Sequence, residues 1–314
     1  MTKPTIAVLL PCYNEAAAIA QTIAGFRDAL PDATIYVYDN NSGDRTVEVA
    51  TAAGAIVRRE RIQGKGAVVR RMFADVDADI YVMADGDATY DAASAPALVA
   101  RLLDEQCDMI VGSRVHEAAA AYRRGHQFGN AMLTGMLARL FGRSFTDILS
   151  GYRVFSRRFV KSFPSLSAGF EIETEISVHA LELRMPVAEV ETPYFARPEG
   201  SASKLSTYGD GWRILRTIVQ LYRLERPLLF FGLLGAVLAL AGLVLAAPVL
   251  ATYWHTGLVP RLPTAILAMG LVLLAFLNGF AGLILDTVVR GRREVRRLAY
   301  LSFPAPGTTS GGRA

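Results

Sequence analysis

The sequence is poor in the residues that build metal clusters. It holds 2 cysteines, Cys12 and Cys107, and 4 histidines in 314 residues. The cysteines form no metal-spaced pair, and a cytoplasmic domain would keep them reduced. His116, His126, His179 and His255 are scattered without ligand spacing, so structural or surface roles are expected. Charge is also scarce: 20% of residues are Asp, Glu, Lys or Arg, against about 25% in soluble domains. With a net charge of only +4, this excludes a disordered chain and a basic coat for nucleic acid; no nucleic-acid partner is expected. Gly64-Lys65-Gly66 is too short for a Walker phosphate loop. The N-terminus lacks the layout of a signal peptide, because its short apolar run meets polar Pro11-Cys12-Tyr13-Asn14-Glu15 at once.

What is abundant is apolar sequence, 52% of residues, with a mean hydropathy of +0.29. The excess is concentrated. Leu228 to Ala251 is 24 residues without a charge, and Thr264 to Leu285 is 22. At about 1.5 Å per residue each run reaches past the ~30 Å of a hydrocarbon core. Arg213, Arg216, Arg223 and Arg226 precede the first run. Arg290, Arg292, Arg293, Arg296 and Arg297 follow the second, and the connecting loop carries only Arg261. The asymmetry predicts a multi-pass protein of the inner membrane, with its soluble domain and both termini in the cytoplasm. Asp210 to Arg226 reads as an amphipathic helix at headgroup level, with Trp212, Ile214, Leu215 and Ile218 on its apolar face. Asn278 in the second run could bond within the hairpin or across a homo-oligomer. The tail from Gly307 reads as disordered. The expected domains are residues 1–209, an interfacial helix over 210–226, a two-helix transmembrane hairpin over 227–290 and a basic tail over 291–314.

The first 209 residues alternate strand and helix. Ile6 to Leu10, Thr34 to Tyr38, Ala55 to Val57, Ile80 to Met83 and Met109 to Val111 read as buried strands, and Glu15 to Leu30 as a helix with Ile19, Ile23 and Phe26 on one face. The rhythm predicts an α/β, Rossmann-like domain with a mostly parallel sheet. Ligands of such sheets bind beyond the carboxyl ends of the strands, and Asn14, Asp39, Asp85 and Arg114 each follow a strand.

Asp85-Gly86-Asp87 offers two carboxylates on a tight turn, donors suited to a hard divalent cation with positions left for phosphate oxygens. Arg114, Arg153, Arg197 and Lys204 lie in Gly/Ser-rich loops, where guanidinium forks and ammonium groups suit phosphate.

Pro11-Cys12-Tyr13-Asn14-Glu15, the Asp39 to Thr46 loop, Gly64-Lys65-Gly66 and Asp85-Gly86-Asp87 resemble the motif series of family 2 glycosyltransferases with a GT-A fold. Gly112-Ser113-Arg114, Asp147 to Arg153, Ile172 to Glu175 and Ser203-Lys204-Leu205 resemble, more narrowly, the polyprenyl-phosphate glycosyltransferases, dolichyl-phosphate mannose synthases among them. The resemblance spans residues 4 to 226. It implies an inverting enzyme that moves one sugar from a UDP- or GDP-linked donor to undecaprenyl or dolichyl phosphate. It implies nucleotide contacts at Pro11, Tyr13, Glu15, Asp39, Lys65 and Asp85, and a Mg2+ or Mn2+ site at Asp85 and Asp87. It implies lipid-phosphate or diphosphate contacts at Arg114, Arg153, Arg197, Ser203 and Lys204, the last three on a closing loop, and a family glutamate at Glu175, with Glu171 and Glu173 as neighbours. Two departures stand out. The usual acidic pair after the second strand is Asp39-Asn40, and Thr89 stands where some relatives place a glutamine near the metal. Two rivals remain. One is a processive polysaccharide synthase, on the near match Gln220-Leu221-Tyr222-Arg223-Leu224. The other is a non-catalytic, nucleotide-sugar-binding scaffold.

Overall fold

The computed structural model describes residues 3–116, 134–136, 138–139, 142, 145–165, 172–198, 216, 219–220 and 223–307. It divides into two compact units, residues 1–214 with 295–314, and residues 215–294.

The first unit is built on a seven-stranded sheet in the order β3-β2-β1-β4-β6-β5-β7. The strands are β1 Ile6–Cys12, β2 Thr34–Asp39, β3 Ile56–Arg59, β4 Ile80–Met83, β5 Met109–His116, β6 Arg153–Ser156 and β7 Val187–Tyr194. β1, β2, β3 and β4 run parallel, β6 is antiparallel to both neighbours, and β5 pairs parallel with β7. The helices are α1 Ile19–Ala29, α2 Thr46–Ala52, α3 Lys65–Asp75, α4 Ala95–Asp104, α5 Arg157–Ser162 and α6 Ile172–Glu182. The mostly parallel α/β sheet expected from the sequence is present.

Val8, Leu9 and Leu10 are fully buried at the centre, because β1 is covered on both faces and carries no polar alternation. The helix face expected at Ile19, Ile23 and Phe26 is buried, but α1 starts at Ile19 rather than Glu15. β1 runs two residues past its expected end at Leu10. Pro11 fits because pairing with β4 stops at Leu9, so no ladder bond is asked of the missing N–H. β5 extends to His116 rather than Val111, because β7 pairs with it along its whole length. β6 and β7 were not expected. β6 has four residues and lies in a polar motif, and β7 is half-buried, with glutamates at Glu189 and Glu191.

The second unit contains most of two long helices, α7 Pro227–Thr256 and α8 Leu262–Leu301. Their most apolar windows have mean hydropathies of 2.7 and 2.2 and are only 11% buried. Exposed leucines over such lengths suit lipid rather than water as the surrounding solvent. The helices pack backbone to backbone: a Cβ at Gly242 would lie 2.9 Å from Val272 Cγ2 and 3.0 Å from the Ala268 carbonyl. α7 ends at Gly257, whose φ of 67° is the left-handed cap conformation. Asn278 donates to the Leu274 carbonyl of its own helix at 2.8 Å. Of the basic flank, Arg290 pairs with Asp286, and Arg292 and Arg293 with the buried Glu225. The expected amphipathic helix and the tail beyond Gly307 fall mostly outside the described residues.

Candidate functional site

Parallel strands deliver their carboxyl ends to one edge of the sheet, and the antiparallel β6 brings its first residue to the same edge. Arg153 therefore pairs with Met83 at the end of β4 and with Val111 of β5. Asp39, Asp85 and the approach to Arg114 converge here although they are far apart in sequence.

On the β1–β2 side, two loops are laced together. The Asn14 side chain accepts from the Gly43 amide at 2.8 Å, the Asn14 amide donates to Ser42 Oγ at 2.9 Å, and Asp44 accepts from the amides of Ala16 and Thr46. Asn14 holds a positive φ of 55° to do so, which asparagine tolerates better than most residues. Asp39 is buried, and both of its carboxylate oxygens lie a long 3.4 Å from the Ser42 amide. Tyr13 is exposed, Pro11 half-buried and Glu15 buried at the mouth of these loops. Asn40 has a different task from the carboxylate it replaces. Its buried amide donates to the carbonyls of Glu60 and Ile62 and accepts from the Gly64 amide at 2.7 Å, which fixes the loop presenting Lys65.

The Asp85-Gly86-Asp87 turn lies against β1. A Cβ on Gly86 would collide with Cys12 Sγ and sit 3.3 Å from Ile19 Cδ1, so only glycine fits between the two acids. Gly151 is constrained less severely, since a Cβ there would come within 2.9 Å of Asp85 Oδ2. Both carboxylates are matched by cations. Lys65 Nζ lies 2.6 Å from Asp85 Oδ1 and 2.6 Å from Glu173 Oε1. Arg197 Nη2 lies 2.8 Å from Asp87 Oδ2, and the Thr89 hydroxyl donates to Asp87 Oδ1 at 2.6 Å. Burial pulls the Lys65 pKa down, but Asp85 and Glu173 outweigh it and hold the ammonium above its ordinary range. Asp87 is pushed up by burial and then by the adjacent Asp85, with Thr89 and Arg197 opposing.

Arg114 forms a two-pronged pair with Asp147, at 2.7 Å from Nε and 2.8 Å from Nη2, and stands 5.5 Å over the Tyr194 ring. Burial alone would raise Asp147, but Arg114 overrides it and holds the carboxyl below its usual range. Tyr90 joins the two halves. Its hydroxyl accepts from the Gly151 amide at 2.8 Å and lies in the field of Arg114, Asp85, Tyr194 and Lys65.

The sequence-predicted residues separate into groups. Asp85, Asp87, Lys65 and Arg197 meet in one charged cluster. Arg153 lies beneath it rather than in an open loop: it is fully buried, and its guanidinium donates to the carbonyls of Ser150 and Ile148 and to Ser177 Oγ. That burial lowers its pKa to about 10. Glu173 is the glutamate that reaches Lys65, while Glu175, roughly 200° further round the helix, is half-buried. Ser203, Lys204 and Glu171 lie outside the described residues. Tyr90, Asp147 and the hydroxyl of Thr89 carried no role in the sequence reading. The Asp147 to Arg153 motif was the one available signal, and it did not say which acid holds which arginine.

The matching family is Glycosyl transferase family 2, over residues 7–163. Among curated relatives, Glycosyltransferase AglJ of Haloferax volcanii is 33% identical, over 93% of this chain and 96% of its own. The Dolichyl-phosphate hexose transferase of the same organism is 26% identical, over 72% of this chain and 97% of its own. The crystal structure of glucosyl-3-phosphoglycerate synthase from Mycobacterium tuberculosis with Mn2+, UDP and phosphoglyceric acid is 24% identical and superposes with a TM-score of 0.57, over 70% of this chain and 78% of that one. The sheet is thus that of a GT-A fold. The chain belongs to glycosyltransferase family 2 and is a glycosyltransferase.

Proposed function

We propose that the protein transfers a single sugar from a nucleotide-sugar to a polyprenyl phosphate at the cytoplasmic face of a membrane. The observation that carries the reading is the Asp85-Gly86-Asp87 turn with a cation seated on each carboxylate. Such a set is arranged for a ligand of mixed charge, a diphosphate together with a divalent metal. The relative named for dolichyl phosphate supports the acceptor class, and the two apolar helices support a substrate confined to lipid.

The residues fit a Mg2+ or Mn2+ ion in part. Asp85 and Asp87 are hard oxygen donors, and the buried Glu173 Oε2 has no hydrogen-bond partner. Among the described residues no group of three acidic, His or Cys side chains is assembled as a metal cage, which leaves room for diphosphate oxygens. When bound, the metal would supply neutralisation of the leaving diphosphate.

The chain's own residues then divide the work. The loops carrying Pro11, Tyr13, Glu15 and Asp39 hold the nucleotide, with the Asp39 carboxylate accepting from the base. Lys65 and Arg197 hold charge at the diphosphate. Arg114, aimed by Asp147, receives the acceptor phosphate, and Arg153 braces the floor through Ser150. Ser203 and Lys204 follow Arg197 closely in the sequence and are assigned to the same phosphate contacts. A phosphate monoester needs no general base, since its second pKa of about 6 leaves it anionic near neutral pH. Positioning and partial neutralisation suffice for direct displacement at the anomeric carbon. The test is radiolabel transfer from a panel of UDP- and GDP-sugars to undecaprenyl or dolichyl phosphate by the full-length protein. One labelled sugar on lipid is expected. Long polymer would establish the processive alternative, and no transfer from any donor would overturn the proposal.

A further inference from the structure

A second polar cluster lies away from the transfer site, where the end of α8 rejoins the first unit. Asp108, just before β5, is completely buried. It accepts from Ser156 Oγ at 2.7 Å, from Arg158 Nε at 2.5 Å and Nη2 at 2.9 Å, and from the Tyr300 hydroxyl at 2.8 Å. The Arg158 guanidinium also stands 4.7 Å over the Tyr300 ring. One turn earlier, Arg296 Nη1 pairs with Glu182 Oε2 at 2.5 Å, and the Glu182 side chain has no solvent exposure. Two buried acids thus each take a partner from a segment outside the stretch that matches the family.

The three elements fastened here are the ones that supply the far side of the transfer site. Glu182 ends α6, whose opposite end carries Glu173, the partner of Lys65. Asp108 precedes β5, which carries Arg114. Ser156 ends β6, which begins with Arg153. Glu173 and Glu182 are about 13 Å apart along the helix, and Asp108 and Arg114 about 20 Å apart along the strand. α6 and β6 are joined again midway, where Arg153 donates to Ser177 Oγ at 2.9 Å. β1 and β2, on the nucleotide side, have no bond to Arg296 or Tyr300 among the described residues.

We infer that Val295–Leu301 is a positioning element of the transfer site: Arg296 on Glu182 and Tyr300 on Asp108 hold the far ends of α6, β5 and β6, and so set Glu173, Arg114 and Arg153. The inference rests on the transfer reaction proposed above. A clamp that only stabilises would lower Tm and leave turnover of the folded protein unchanged.

The experiment uses the full-length protein in detergent micelles, with Arg296→Gln, Tyr300→Phe and the charge exchange Arg296→Glu/Glu182→Arg. Below the Tm of every variant, Arg296→Gln is expected to lower kcat about tenfold, in keeping with the loss from small misplacements of reacting groups. The donor KM is expected to change less than kcat, because the nucleotide base is held by the loops after β1 and β2, to which Arg296 and Tyr300 make no bond among the described residues. The charge exchange should recover most of the loss. The effect of Arg296→Gln should also be less than additive with that of Ser177→Ala, as for residues acting through one element. Amide exchange of the Ile172–Ser177 half of α6 should quicken in Arg296→Gln. A lowered Tm with unchanged kcat, or faster exchange confined to 295–301, would overturn the inference. If the wild-type protein transfers no sugar, the functional proposal fails, and the exchange measurement alone still decides whether the segment holds α6.

Discussion

Replacing Lys65 with methionine keeps the length of the side chain and removes its charge. In the native protein one ammonium lies 2.6 Å from both Asp85 and Glu173, with the lysine 11% exposed, Glu173 6% and Asp85 30%. Without it, two carboxylates share a site with no cation between them. Breaking a buried ion pair from one side costs about 3–5 kcal/mol. The partial exposure of Asp85 places this case near the lower figure, about 3 kcal/mol. At roughly 2–4 °C per kcal/mol for a domain of this size, Tm should fall by about 6–12 °C. The sign of the pH dependence follows from linkage. In the wild type, the raised pKa of Lys65 keeps its contribution intact at every pH below about 10. In the variant that contribution is absent over the same range, so the deficit should be about the same at pH 5 and pH 8. Adding Glu173→Gln removes one of the stranded charges and should recover about half of the loss. Scanning calorimetry of the three proteins at the two pH values is the assay. A Tm change under 2 °C, or a deficit that grows on acidification, would refute the electrostatic account of the cluster.

Other outcomes follow from neighbouring geometry. Asp87→Ala should lower radiolabel transfer by at least about a hundredfold, consistent with the loss of a positioned charge, while leaving a cooperative thermal transition; unchanged transfer would count against the site. Gly86→Ala forces a methyl against Cys12 Sγ and Ile19 Cδ1. It should cost about 1–3 kcal/mol in urea unfolding and be partly rescued by Cys12→Ala, with absence of rescue arguing against the clash. His179 is held neutral by burial and by Arg296, its pKa lowered to about 3. Its unfolded form binds the proton first, so stability should fall on acidification from about pH 6.5, by at most about 1.4 kcal/mol per pH unit. In His179→Phe, which keeps an aromatic ring beside Phe159 and Phe163, that part of the Tm–pH slope should disappear.

Much of this protein was fixed locally and could be read from the chain. A buried strand announces itself as an unbroken apolar run, so β1, β2 and β4 were found close to their true limits. The two uncharged stretches longer than 20 residues were equally legible as long apolar helices, α7 and α8. Short-range composition and period suffice for such features. The pairing of charges belongs to tertiary structure alone. Lys65 and Glu173 are neighbours only because α3 and α6 pack together, and nothing in either segment distinguishes Glu173 from Glu175 until the helix phase is known. Arg153 read as a loop cation because its burial is produced by strands β4 and β5 on either side of it. Asn40 read as a missing carboxylate, whereas its amide needs the backbone of a loop some 20 residues away. Strand β7 stayed hidden because its hydrogen bonds come from β5, not from its own half-buried sequence. Local sequence set which elements form. The sheet edge decided which ionic groups meet, because Coulomb and hydrogen-bond partners are selected by distance in space rather than along the chain.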